Sequence, residues 1–208
     1  KIMLHHEISG NGKKPLVLLH GFMENTTIWD EMEAHLSKDF TLIKIDLPGH
    51  GKSKVYQEIH TVELMAEKVK EVIDALKLEK INLLGHSLGG YVSLAFAEKF
   101  PEILESMTLF FSTTVADDEE KKAIRRRSIA VIDENFETFV KTSIPNLFSN
   151  NEKDILEGKI ELAKNIAKST DKEGVKAAQL GMAERPDRTE ILENLDAKIL
   201  IIAGKYDN

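Results

Sequence analysis

The chain has 208 residues, 42% of them hydrophobic and 30% charged, with a net charge of −7. That length and balance describe a soluble chain able to bury a full core as one main domain, and the acidic excess argues against nucleic acid or an anionic membrane surface as the main partner. The absence of cysteine excludes disulfides, thiolate metal sites and cysteine nucleophiles. No run of 18 apolar residues and no export-type leader in residues 1–20 stands out, which makes cytoplasm the default expectation.

In chain order, Ile2 to Ile8 reads as an edge strand and Asn11-Gly12-Lys13 as the turn after it. Leu16 to Leu19 is a short buried strand running into His20-Gly21-Phe22, where a glycine and exposed backbone amides could meet an oxyanion. Thr27 is placed to cap a short helix carrying Ile28, Trp29, Met32 and Leu36, with Trp29 as a packing residue. Thr41 to Asp46 is the next strand, followed by the turn-rich loop Asp46-Leu-Pro-Gly-His-Gly-Lys-Ser53, in which His50 reads as structural or solvated. Thr61 opens a helix whose Val62, Met65, Ala66, Val69, Val72, Ile73 and Leu76 follow helical spacing.

The stretch Ile81 to Phe100 organises the rest. An apolar strand over Ile81 to Leu84 turns at Gly85-His86-Ser87-Leu88-Gly89 and leaves as a helix, apolar nearly all round, to Phe100. A serine held at such a turn brings strand and helix backbones so close that a Cβ at position 85 or 89 would clash. A lone G-x-S-x-G arises by chance in about one chain in fifteen of this length, so its setting between strand and helix is what gives it weight. Met107 to Phe111 is a further strand, with Phe110 and Phe111 as strand core. This alternation predicts a mainly parallel, doubly wound α/β sheet with functional groups at the C-terminal strand ends, where His20, Ser87 and Ser112 fall.

From residue 113 to 186 the alternation lapses into helical periodicity (Ile124, Ile129, Ile132, Phe136, Phe139 and Val140; Ile155 to Ile166; Val175 to Met182). Such an insertion above the strand ends would be a lid that shapes a pocket and excludes water. The run Arg125-Arg126-Arg127 reads as a solvated surface, because consecutive helical residues face different ways. The domain reading is thus a core of residues 1–112 and 187–208 with a helical lid over 113–186, counted as following the sixth strand. The sheet resumes with Lys198 to Ala203, read as a buried strand, and Asp207 in the turn after it is a candidate to orient a histidine.

Together, His20-Gly21-Phe22, the Asp46-to-Ser53 loop, Gly85-His86-Ser87-Leu88-Gly89-Gly90 and Gly204-Lys205-Tyr206-Asp207 resemble the α/β-hydrolase superfamily, and most closely its small, lid-bearing carboxylesterases. The resemblance implies that Ser87 is the nucleophile, that Asp207 is the triad acid, and that the backbone N–H groups of Phe22 and Leu88 form the oxyanion hole. It implies a small ester-like substrate and no metal or organic cofactor, and it assigns no oligomeric state. Serine at the elbow separates the chain from relatives with an aspartate nucleophile. The family's histidine follows its acid, whereas none of the seven histidines here follows Ser87, and His86 would point away from the hydroxyl it neighbours. The catalytic histidine is therefore expected beyond Asn208, in a protein continuing some 50 residues by resemblance to family members, and the 208 residues alone are expected to be nearly inert. The same scaffold supports lactonases, carbon–carbon bond hydrolases and a lyase of menaquinone biosynthesis. It also supports non-catalytic signalling members that bind a ligand.

Overall fold

A computed structural model describes residues 2–207. Six strands form one sheet: β1 (His6–Ser9), β2 (Lys14–Leu19), β3 (Phe40–Ile45), β4 (Ile81–His86), β5 (Leu104–Phe110) and β6 (Lys198–Ile202), in the order β1-β3-β2-β4-β5-β6. All neighbours run parallel except β1, which pairs antiparallel with β3 at the edge. From β2 the chain first adds β3 on one side and then β4 on the other. The connections from the C-terminal ends of β2 and β4 therefore leave to opposite faces and open a crevice between them, the usual ligand position in an open parallel sheet.

The central strands are apolar on both sides because helices cover both sides. Leu16, Leu18 and Leu42 bury against Trp29, which is 1% exposed, and the flanking helix α1 (Asp30–Leu36). Val17, Leu19 and Leu83 face α2 (Val62–Ala75) and α3 (Leu88–Lys99). Thr61 caps α2, its Oγ1 accepting the Leu64 N–H at 3.1 Å. α3 is buried nearly all round, from Leu88 to Ala97, because α2 packs beside it and β4 beneath it.

Three expectations need correcting near the N-terminus and in the strand count. The strand begins at His6 rather than Ile2, since the backbone of His5 is already taken: its N–H donates to Ser53 Oγ (2.9 Å) and its carbonyl accepts from Asp46 N–H (3.0 Å). Asn25, not Thr27, caps the short 3-10 turn before α1, its Oδ1 accepting from both Thr27 N–H (2.9 Å) and Thr27 Oγ1 (2.6 Å). The helical insertion follows the fifth of the six described strands and not the sixth, because only β1 precedes β2 among the described residues.

That insertion contains α4 (Glu119–Ser143), α5 (Glu157–Lys168) and α6 (Lys172–Glu184), and α7 (Thr189–Glu193) leads back to the sheet. α4 bends at Asn135, whose φ of −155° and ψ of 83° break the helix. The three helices share a core of Ile132, Phe139, Val140, Ile144, Ala167 and Val175, and Met23 from the sheet side joins it. Buried arginines fasten the insertion. Arg185 pairs with Asp117 at 2.9 Å and lies 3.9 Å over the Tyr91 ring of α3; Arg188 pairs with Glu98 of α3 and Glu63 of α2. Arg125 joins Asp117 and Gln179, while Arg126 and Arg127 are exposed. β6 differs from its expected burial: every residue in it is exposed, Leu200 by 54% and Ile201 by 58%. Among the described residues it pairs with β5 alone, at the edge of the sheet.

Candidate active site

The strand-to-helix turn at Ser87 is set by backbone contact. A Cβ on Gly85 would lie 2.2 Å from Gly89 O, one on Gly89 2.2 Å from Leu19 O, and one on Gly90 2.2 Å from Ser112 Oγ. None of these positions accepts a side chain, so β4, α3 and the end of β2 close up to backbone distance. Ser87 itself takes φ 48° and ψ −110°. A non-glycine residue there is strained by about 1–3 kcal/mol, and such strain persists only where the surroundings enforce it. Its N–H donates to Phe110 O (3.0 Å), and its carbonyl accepts from Gly90 N–H (2.9 Å) and Ser112 Oγ (2.8 Å). With both backbone groups held, the half-buried side chain stands at the crevice beside the first turn of α3. Leu88 begins that helix, so its N–H is one of the amides with no partner inside the helix, at the positive end of the dipole.

Across the crevice, β2 ends in His20-Gly21-Phe22-Met23-Glu24. Glu24 N–H closes this turn on Gly21 O at 3.2 Å, and Met23 has φ 58°, a conformation usually left to glycine. Met23 can hold it because its side chain is 2% exposed, locked in the core of the inserted helices. Glu24 turns its carboxylate back: Oε2 accepts Gly21 N–H at 2.5 Å and meets His86 Nδ1 at 2.8 Å. Burial alone would raise the Glu24 carboxyl pKa; the His86 hydrogen bond, the histidine charges and the Gly21 amide outweigh it and hold the group below the usual carboxylate range. An ionised carboxylate only accepts, so His86 carries its proton on Nδ1. The ring also packs against Phe110 and Phe111, with centroids at 5.6 and 6.5 Å.

The other histidines have different work. His20, fully buried, receives Leu47 N–H on Nε2 (2.9 Å) and uses Nδ1 to reach Gly21 O (2.7 Å), tying the loop after β3 to the turn after β2. Burial lowers its pKa to about 4. His50 is likewise fully buried, with Nδ1 on Pro48 O at 3.0 Å and a pKa lowered to about 3, mainly by burial. It is structural, as its place between two glycines suggests. His60 accepts Tyr56 N–H on Nε2 at 3.1 Å, His5 meets Glu7, His6 meets Leu4 O, and His35 lies in the last turn of α1. Asp46, which opens the 46–53 loop, accepts from Thr26 N–H and Lys52 N–H, both at 2.9 Å.

Of the residues singled out from sequence, Ser87 and Leu88 adjoin at the elbow, and Phe22 lies in the turn facing them. Asp207 is not brought into contact with Ser87. It sits exposed in the turn after β6, two strands along from β4, with its N–H on Gly204 O at 3.2 Å. Phe111 is not strand core: it leaves β5 with φ 48°, half-buried, its ring over Gly204 and edge-on to Phe110. Glu24 is the residue that sequence reasoning misses; the signal for it is the three-residue spacing from Gly21 within a tight turn. Among the described residues no group of three or more His, Asp or Glu side chains is arranged to hold a metal ion, and no helix is long and apolar enough to cross a membrane. A groove of about 690 Å³ between residues 55–58 and helices α4 and α6 touches none of Phe22, Ser87 and Leu88.

Residues 14–157 match the alpha/beta hydrolase fold family, and the chain belongs to it. A thermophilic esterase from Thermogutta terrifontis superposes with a TM-score of 0.92 at 35% identity, over 98% of this chain and 75% of that one. The enol-lactonase from Burkholderia xenovorans LB400 shares the fold, with a TM-score of 0.88 at 22% identity over 97% of this chain and 78% of its own. An uncharacterized protein of Mycobacterium bovis is 34% identical over 111 residues, 53% of this chain but only 32% of that relative. The match thus spans less than two thirds of the relative's length. The chain accordingly has the alpha/beta hydrolase fold.

Proposed function

We propose that the full protein is a serine hydrolase cleaving a small carboxylic ester or related acyl compound, with Ser87 as nucleophile. The observation that carries this reading is the backbone of Ser87, held at φ 48° by three glycines that tolerate no Cβ. The packing of β4 on α3 imposes that backbone, and a glycine would adopt it with less strain; a serine there adds a hydroxyl at the crevice. In this reading Ser87 Oγ attacks the substrate carbonyl. The Phe22 and Leu88 amides bind the resulting oxyanion. Its collapse breaks the ester C–O bond and expels the alcohol, which takes up the proton removed from Ser87. Water then releases the acyl group as the acid and restores the serine hydroxyl. A serine hydroxyl needs a base. In this reading the base is a histidine held in the correct tautomer by Asp207; His86, next to Ser87, is taken up by Glu24 at 2.8 Å. The Thermogutta terrifontis esterase, whose chain the match covers to 75%, supports an ester substrate over a lactone. Helices α4–α6, whose core takes in Met23, form the lid.

The test is turnover of p-nitrophenyl esters of increasing acyl length by the full natural protein and by Ser87→Ala. Loss of about a millionfold in kcat in the variant is expected, from the behaviour of serine hydrolases deprived of their nucleophile. Ligand binding that persists in Ser87→Ala, with no ester turnover by either protein, would instead favour a non-catalytic binding role.

A further inference from the structure

We propose that Glu24 is a positioning residue. Its carboxylate, bridging the Gly21 amide and His86 Nδ1 across the crevice between β2 and β4, keeps the Phe22 amide aimed at the reacting oxygen. The inference rests on reading Ser87 as the nucleophile and Phe22 as an oxyanion donor.

Three independent observations meet at this carboxylate. First, the turn Gly21-Phe22-Met23-Glu24 is closed twice by the same residue, through Glu24 N–H to Gly21 O (3.2 Å) and through Gly21 N–H to Glu24 Oε2 (2.5 Å). The backbone on either side of the Phe22 peptide is thereby fixed, while the Phe22 N–H itself is left out of both bonds. Second, the same Oε2 binds His86, the residue immediately before Ser87, at 2.8 Å. One oxygen thus ties the loop that carries a donor to the strand that carries the nucleophile, and the distance between the two loops becomes a hydrogen-bond length. Third, Gly21 makes room for the arrangement: a Cβ there would lie 2.7 Å from Glu24 Oε2 and 2.9 Å from His86 Nδ1.

The other side of the turn is held by Met23, buried in the core of the inserted helices with φ 58°. The Phe22 amide therefore sits between an anchor in the lid and an anchor on β4. Glu24 supplies the second, and without it the turn keeps the lid anchor and the His20 contact to Gly21 O but loses its tie to β4. Donors in an oxyanion site act through position, and a misplacement near 1 Å costs about a hundredfold.

The experiment compares Glu24→Ala, Glu24→Gln and Ser87→Ala in the full natural protein, measuring kcat and KM for a p-nitrophenyl ester and the inhibition constant of a boronic acid that forms a tetrahedral adduct on serine. Glu24→Ala is expected to lower kcat about 10- to 100-fold with KM changed less than about threefold, and to weaken the boronate by a similar factor. Glu24→Gln retains an oxygen able to accept from both donors and is expected to recover most of the loss. Should Glu24→Ala not fold, His86→Leu, which cuts one of the two bonds, is expected to show the same kcat-selective loss in smaller measure. A Glu24→Ala enzyme with kcat and boronate affinity within about twofold of the parent overturns the proposal, as does a loss that Glu24→Gln fails to recover. Activity surviving in Ser87→Ala would instead bring down the nucleophile assignment on which the proposal rests.

Discussion

The crevice between β2 and β4 and the inserted helices α4–α6 are held by different forces. At the crevice, backbone meets backbone: Gly85 against Gly89, and Gly89 against Leu19 and His20. In the insertion, side chains a long way apart in sequence meet through charge, as with Asp117 and Arg185, or Arg188 with Glu63 and Glu98. The first kind of contact has no slack and fixes Ser87 in one conformation. The second kind ties the inserted helices to α2 and α3 through buried guanidiniums, so that fixing them depends on charge pairs being complete.

Substitutions can break this contrast. The largest effect is expected from Gly89→Val, where the new Cβ would stand 2.2 Å from Leu19 O. A loss of at least about 3 kcal/mol, read from the urea midpoint, follows from overpacking a site with no give. Next comes Asp117→Asn. Burial would raise the Asp117 carboxyl pKa, but the Arg125 and Arg185 guanidiniums outweigh it and hold the group below its ordinary value. Removing the charge leaves Arg185 buried beside a neutral amide and is expected to cost about 2–3 kcal/mol, with the loss concentrated in the inserted helices by hydrogen exchange.

Acid should act on the crevice. Folded His20 and His50 have pKa values of about 4 and about 3, against an ordinary 6.5. Between those values the unfolded chain binds protons that the folded chain does not, so stability falls as pH drops from about 6.5 towards 4. The slope is up to about 1.4 kcal/mol per pH unit for each histidine. Urea midpoints between about pH 7.5 and pH 4.5 check both the sign and the window. The smallest effect lies in the insertion: Gly158, in the first turn of α5, would have nothing within 4 Å of an added methyl group. Gly158→Ala is expected to stabilise by about 0.5–1 kcal/mol, again read from the urea midpoint and in contrast to the valine at position 89.

What is legible in the sequence follows the same division. The elbow can be read because its determinants lie within a few consecutive residues and one physical reason, backbone clearance, dictates them. Thr61 as a cap and Trp29 as a core residue are legible through local spacing alone. Glu24 is not, because its importance comes from His86, which is 62 positions away. Asn25 displaces Thr27 as the cap by reaching two residues forward, a choice between adjacent acceptors that composition does not decide. The run of Ile and Leu in β6 reads as buried, yet burial depends on what lies over a strand, and among the described residues every position of this edge strand stays exposed. The placement of Asp207 depends on that same strand, and its side chain is exposed in the turn after it.

The central claim is that the glycine-clamped turn exists to present an activated serine. It is tested most directly by treating the full natural protein with a fluorophosphonate probe and mapping the modified peptide by mass spectrometry. One adduct, on Ser87, is the predicted result. A protein that stays unmodified while folded, or that carries its adduct on another residue, would contradict it.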